Sequence, residues 1–189
     1  MSRNAIAILI RSWLSQGFFY MIPIERTVKL LQTGLICSGL LLFVNAVHIP
    51  FTPTVVISAL VITHSVNWLL SGQFWVVMTY LGYQTKPGQI QSYLHQLSHQ
   101  CRKANSISDA LLYGSIARGT MKASSDIDVR ILPAQSRLGL FKAALFTAFL
   151  RAQSFRKGIP LDIYLFENQE MLNRMNPDEQ PVSLCQTKW

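Results

Sequence analysis

Leu111–Leu132, LLYGSIARGTMKASSDIDVRIL, is the stretch on which the fold turns. Its apolar start, with Ala110 just before it, suits a buried strand. The strand ends at Gly114-Ser115, a loop or short helix follows, and Ile127–Leu132 reads as the next strand, stopped by Pro133. Gly114 has no side chain, so the backbone there can approach a phosphate closely. Ser115 offers a hydroxyl and a main-chain N–H, and a helix starting there adds donors and a favourable dipole. Asp126 and Asp128 are two apart, which on a strand puts both carboxylates on one face. Carboxylates held that closely repel unless a cation sits between them. Mg2+ suits the position, because it prefers oxygen ligands and is often shared between carboxylates and substrate phosphates.

A third carboxylate, Asp162, lies in LDIYLF between apolar neighbours near the start of another predicted strand. An acid inside a strand needs a reason, since an unpaired buried charge is costly. Placed beside Ile127–Leu132, Asp162 completes a three-carboxylate cluster able to hold two metal ions. One would lower the pKa of an attacking hydroxyl; the other would carry a triphosphate and stabilise leaving pyrophosphate. The competing structural account makes Gly-Ser a plain turn and sets the acids against Arg118, Arg130 or Arg137 in ion pairs.

Outward from this centre, Ile90, Tyr93, Leu94, Leu97 and Cys101 recur at helical spacing, so Gln89–Ala104 reads as a helix. Ile107–Tyr113, Ile127–Leu132 and Leu161–Phe166 read as strands, and the apolar Leu138–Ala152 as a helix. The polar remainder, with Pro177 and Pro181, reads as a short helix and tail. This order predicts an α+β domain, a small mixed sheet with helices packed mainly on one face.

Gly-Ser followed by an apolar-Asp-apolar-Asp-apolar strand resembles the nucleotidyltransferase superfamily typified by DNA polymerase β, whose small members are the minimal nucleotidyltransferases. The likeness covers about Gln89–Phe166. It implies the nucleotidyltransferase fold and Mg2+-dependent transfer of a nucleoside monophosphate from an NTP such as ATP to a hydroxyl or phosphate, with release of pyrophosphate. It further implies that Asp126 and Asp128 bind metal, that Asp162 is the third acid, and that Gly114 and Ser115 hold the triphosphate. Arg118 and Lys122, in the intervening loop, would add positive charge toward the phosphates.

The other half of the chain is of a different kind. Half of all 189 residues are hydrophobic and 14% are charged, which excludes a disordered chain. The 56 residues Leu30–Thr85 contain no Asp, Glu, Lys or Arg. Pro50 and Pro53 divide this block into 30–47 and 55–80, each long enough for a hydrocarbon core of ~30 Å. Trp68, Trp75, Tyr80 and Tyr83 sit where an aromatic belt is expected. Ahead of the first span, Ile6, Leu9, Ile10, Trp13, Leu14, Phe18 and Met21 recur at helical spacing, which predicts an interfacial amphipathic helix over 4–22. The expected organisation is a membrane region, 1–85, and a nucleotidyltransferase-like domain, 86–189. Lys and Arg flank both spans and are absent from the connecting loop, so the positive-inside rule puts both termini and the catalytic domain in the cytoplasm, on a multi-pass cell-membrane protein.

His64, Ser65, Asn67 and Gln73 are polar within the second span, which points to an oligomer or membrane partner. His95 and His99 are i, i+4 on a helix but lack a third ligand nearby, so a solvated face is expected. Cys37, Cys101 and Cys185 form no paired motif and read as idle thiols. The net charge of +8 fits anionic lipid, and no RNA-binding motif indicates nucleic acid. The expected function is membrane-anchored nucleotidyl transfer to a membrane-proximal lipid or glycan acceptor. The alternative is an inactive nucleotide-binding or assembly subunit of a membrane complex.

Overall fold

The computed structural model describes residues 3–166 and 180–186. The N-terminal part is helical: α1 (Arg3–Ser15), a 3-10 turn at Phe18–Tyr20, α2 (Pro23–Ala46), α3 (Pro53–Leu69) and α4 (Gln73–Tyr80). Next come α5 (Pro87–Lys103), β1 (Ile107–Tyr113), the one-turn α6 (Gly114–Ala117), β2 (Ile127–Pro133), α7 (Arg137–Lys157), β3 (Leu161–Leu165) and β4 (Val182–Ser183). The helix expected after Phe166 falls on 167–179, outside the described residues.

The sheet is mixed, in the order β3-β2-β1-β4. β1 pairs antiparallel with β2 and β4, while β2 and β3 are parallel, joined by α7. Strand alternation gives the sheet two unlike faces. Ile127, Val129 and Ile131 of β2, and Leu161, Ile163 and Leu165 of β3, are buried in one core with Ile90, Leu94 and Leu97 of α5 and Ala143 and Leu150 of α7. Asp126, Asp128 and Arg130, with Asp162, Tyr164 and Phe166, fall in the alternate positions. This is the predicted α+β arrangement, with β4 as an unpredicted edge. Two residues paired to β1 are too short a run for a period-2 pattern to reveal.

The structure differs from two expectations about the N-terminal half. The helix expected over 55–80 is broken: α3 and α4 meet at a 75° bend. Gly72 takes φ +80 at the break, and a Cβ there would lie 3.0 Å from the Leu161 carbonyl oxygen, so the turn is seated on the start of β3. The helix expected over 4–22 stops at Ser15, where Gln16 and Gly17 take positive φ. The aromatic residues also tie elements together. The Trp75 indole N–H donates to the Phe155 carbonyl (2.9 Å) and the Tyr83 hydroxyl to that of Gly158 (2.8 Å), fixing α4 and its exit to the end of α7.

By length and composition, α2 can cross a membrane on its own, whereas α3 and α4 pass the same test only as a bent pair. The outward residues of α2 and α3 include Leu35, Leu42, Phe43, Ile57 and Leu60, all exposed. The polar residues expected to face a partner are satisfied within the chain. Asn67 accepts from Gln32 Nε2 (3.0 Å) and donates to Thr33 Oγ1 (2.6 Å). Ser65 accepts from the Trp13 indole (3.2 Å), and the His64 ring nitrogen Nε2 meets the Trp13 carbonyl at 2.9 Å.

The two halves share a core. Ile22 and Val28 belong to the buried cluster of the sheet domain. Glu25, at the start of α2, accepts from Arg151 Nη2 of α7 (2.9 Å) through one oxygen and from the Leu165 N–H of β3 (3.2 Å) through the other. Both side chains are buried.

His95 and His99 are exposed on α5. Burial pushes the Cys101 thiol up to about 12 and the Cys185 thiol up to about 11, with further upward contributions from Cys185 to the former and Asp109 to both. Thiolate is the reactive form, so both cysteines are expected to alkylate more slowly than a free thiol at pH 8, as intact-mass time courses with iodoacetamide would measure.

Candidate active site

Gly114 opens α6 at φ +74, the left-handed conformation that glycine takes without a steric cost. An added Cβ would lie 3.8 Å from Asp128 Cβ, so space is not the constraint and backbone conformation is. The Ser115 hydroxyl donates to Ser125 Oγ (2.8 Å), which also accepts the Lys122 N–H (2.9 Å). Ser125 thus folds the intervening loop back on the Gly-Ser turn, a role its sequence position, just before Asp126, did not signal. Arg118 ends α6 and Lys122 lies in the loop; both are exposed.

The parallel pairing of β2 and β3 sets Asp128 directly across from Asp162. Asp126 precedes β2 on the same side. Burial raises the pKa of the Asp126 carboxyl, and the neighbouring Asp162 charge raises it too, against lowering contributions from a backbone hydrogen bond and Arg130. The structure therefore brings the three predicted acids to one sheet face.

Arg130, on the same face of β2, is interposed among them. Its Nη1 lies 2.5 Å from Asp128 Oδ1 and its Nη2 3.4 Å from Asp162 Oδ2. Nη1 also donates to the Val129 (3.0 Å) and Asp162 (3.2 Å) carbonyls, and the guanidinium lies over the rings of Tyr164 and Phe166. The ion pairing that the structural account anticipated is present, with Arg130 as its cation. Among the described residues, no group of three or more His, Cys, Asp or Glu side chains is arranged to hold a metal ion. The acids nonetheless fit Mg2+ in kind. They are all-oxygen donors, and Asp126 is a desolvated carboxyl further strained by a neighbouring like charge, which a divalent cation would relieve.

The N-terminal helices complete the site. Gln73, the first residue of α4, donates from Nε2 to Asp162 Oδ1 (3.2 Å) and to the Tyr164 hydroxyl (2.8 Å). Burial, with the Asp162 charge next, raises the Tyr164 pKa, so the phenol stays protonated. Between α4 and the sheet lies a cleft of about 480 Å3, lined by Asp126, Arg130 and Asp162 on one side and by Tyr20, Val77 and Tyr80 on the other. Gln73 had registered in the sequence only as a polar residue within an apolar span; its distance from Asp162 along the chain hid the contact.

No curated protein matches the chain. Residues 95–175 match the family described as Polymerase beta, Nucleotidyltransferase, a segment that contains Gly114, Ser115 and all three acids. Over that segment the domain built around Asp126, Asp128 and Asp162 is similar to the nucleotidyltransferase superfamily.

Proposed function

We propose that this protein is a membrane-anchored, Mg2+-dependent nucleotidyltransferase that moves a nucleoside monophosphate from an NTP to a membrane-proximal acceptor. The observation that carries the reading is the placement of Asp126, Asp128 and Asp162 on the sheet face reached from the Gly114-Ser115 turn. The α2–α3 hairpin, with its outward apolar residues, supports the anchor. Lys and Arg flanking the two apolar stretches support a cytoplasmic site and cytoplasmic termini by the positive-inside rule.

In this mechanism the backbone at Gly114 and the Ser115 hydroxyl receive the triphosphate, with Arg118 and Lys122 adding positive charge from the loop. Asp126, Asp128 and Asp162 would hold Mg2+. When bound, the metal would supply charge neutralisation at the phosphates and a lowered pKa for the attacking hydroxyl. Arg130 leaves its pair with Asp128 as the acids take up that role, and Gln73 keeps Asp162 oriented. The acceptor oxygen bonds to the α-phosphorus while the bond from that phosphorus to the bridging oxygen breaks. Pyrophosphate leaves with the electron pair, and the acceptor proton passes to a carboxylate.

A second reading, an inactive nucleotide-binding or assembly subunit, is favoured by the Arg130 pairs, which already engage two of the acids. Release of pyrophosphate from Mg2+ and NTP by the full chain in lipid nanodiscs separates the two. Turnover supports the enzyme; nucleotide binding without turnover under every acceptor supports the subunit.

Gly114→Ala tests the turn. The left-handed conformation costs a residue with a Cβ roughly 1–2 kcal/mol. The variant is expected to melt a few degrees lower and to raise KM for NTP more than it lowers stability. An unchanged KM would remove Gly114 from the phosphate site.

A further inference from the structure

The cleft over the acids has walls of opposite character. One side is the sheet face with Asp126, Asp162 and Arg130; the other is Tyr20, Val77 and Tyr80 from the segments next to the hairpin. Tyr20 and Tyr80 are 74% and 72% exposed, so the apolar side opens outward rather than closing into a core. Tyr20 also lines a neighbouring groove with Ile10, Leu14 and Phe19. Leu14 and Phe19 in turn border a third depression, which reaches Leu30 on α2. Depressions that share these residues, largely apolar but bordered by Arg11 and Lys29, therefore lead from the acids toward the outer surface of the helix that is long enough to cross a membrane. A nucleotide's phosphates have no use for such a track, and a free sugar or water-soluble alcohol would leave it bare.

We propose that this cleft is the acceptor subsite and that it takes an apolar-tailed alcohol, with the hydroxyl at Asp126 and Asp162 and the tail along Tyr20 and Tyr80 toward α2. This rests on the nucleotidyl-transfer reading and adds the acceptor class. The lining carboxylates can accept a hydroxyl's hydrogen, which a fully ionised phosphate head does not offer. In the transfer, the hydroxyl oxygen bonds to the α-phosphorus and its proton goes to a carboxylate of the cleft. The bond to the bridging oxygen breaks, and pyrophosphate departs with the electron pair.

The test is photolabelling of the full chain in phosphatidylcholine nanodiscs doped with a diazirine-tailed diacylglycerol or a diazirine-tailed phosphatidic acid, with labelled peptides mapped by mass spectrometry. Diacylglycerol is expected to label the peptides around Tyr20 and Tyr80 as well as those of α2. Tyr80→Glu, at an exposed position, is expected to reduce cleft labelling at least tenfold while α2 labelling persists. Tyr20→Ser provides an independent second variant. Labelling confined to α2 and α3, or cleft labelling unaffected by both variants, overturns the subsite. Cleft labelling by phosphatidic acid but not by diacylglycerol overturns the alcohol assignment. The readout needs no turnover, so a silent enzyme with a labelled cleft would count against nucleotidyl transfer alone. Robust transfer to a water-soluble alcohol with an unlabelled cleft would count against the subsite alone.

Discussion

Asp126→Asn is expected to cut nucleotidyl transfer by roughly 100- to 1,000-fold or more, the scale of loss when a group placed against reacting charge is removed, while leaving the protein at least as stable as wild type. Both halves follow from the same environment. The carboxyl is desolvated, with Asp162 adding like charge, so its folded pKa lies above the unfolded value of ~3.9. A raised carboxyl contributes stability that is fully present below the unfolded pKa and is lost as pH rises through the folded one. As pH rises the wild-type protein progressively loses that contribution, and Asn, which stays neutral, does not. Thermal unfolding at pH 5 and pH 8 measures this directly: the gap between variant and wild type should be wider at pH 8. A clear drop in melting temperature with transfer intact would make Asp126 a structural residue.

Glu25→Ala is expected to destabilise the whole protein by about 3–5 kcal/mol, because it leaves the buried Arg151 guanidinium without its counter-charge and the Leu165 N–H without its acceptor. The double variant Glu25→Leu/Arg151→Met, which removes both charges and keeps apolar volume, should lose distinctly less. Denaturant or thermal unfolding in detergent would show the order. Equal losses in the two would mean that the ion pair matters less than the packing around it. Since Ile22 and Val28 also enter the core of the sheet domain, a protein begun at residue 86 is expected to express as aggregate rather than as a folded enzyme.

The sheet domain was legible because its signals are local. Ile127, Val129 and Ile131 alternate with Asp126, Asp128 and Arg130, and this period of two identifies both the strand and the face that carries the acids. Asp162 became the neighbour of Asp128 through a parallel pairing, which the strand-helix-strand order already favours. The N-terminal half was harder to read. Val55–Tyr80 is uncharged and mostly apolar, with its polar residues scattered along it, so its pattern does not mark where a helix bends; Gly72, seated against β3, sets the break. Gln73 and Glu25 are similarly opaque. Each is a polar residue whose partner lies far along the chain, so its meaning depends on tertiary packing that no local pattern encodes. Arg130 was visible as a candidate ion-pair partner, yet its span from Asp128 to Asp162 depends on the strand register.

In the proposed centre the three acids hold metal and nucleotide and Arg130 withdraws from them. Anomalous diffraction from crystals of the full chain grown with Mn2+ and a non-hydrolysable NTP addresses it directly. A manganese peak is expected among Asp126, Asp128 and Asp162, with the triphosphate against Gly114-Ser115 and Arg130 moved off Asp128. Nucleotide bound elsewhere, with Arg130 still bridging Asp128 and Asp162 and no manganese between them, would contradict it.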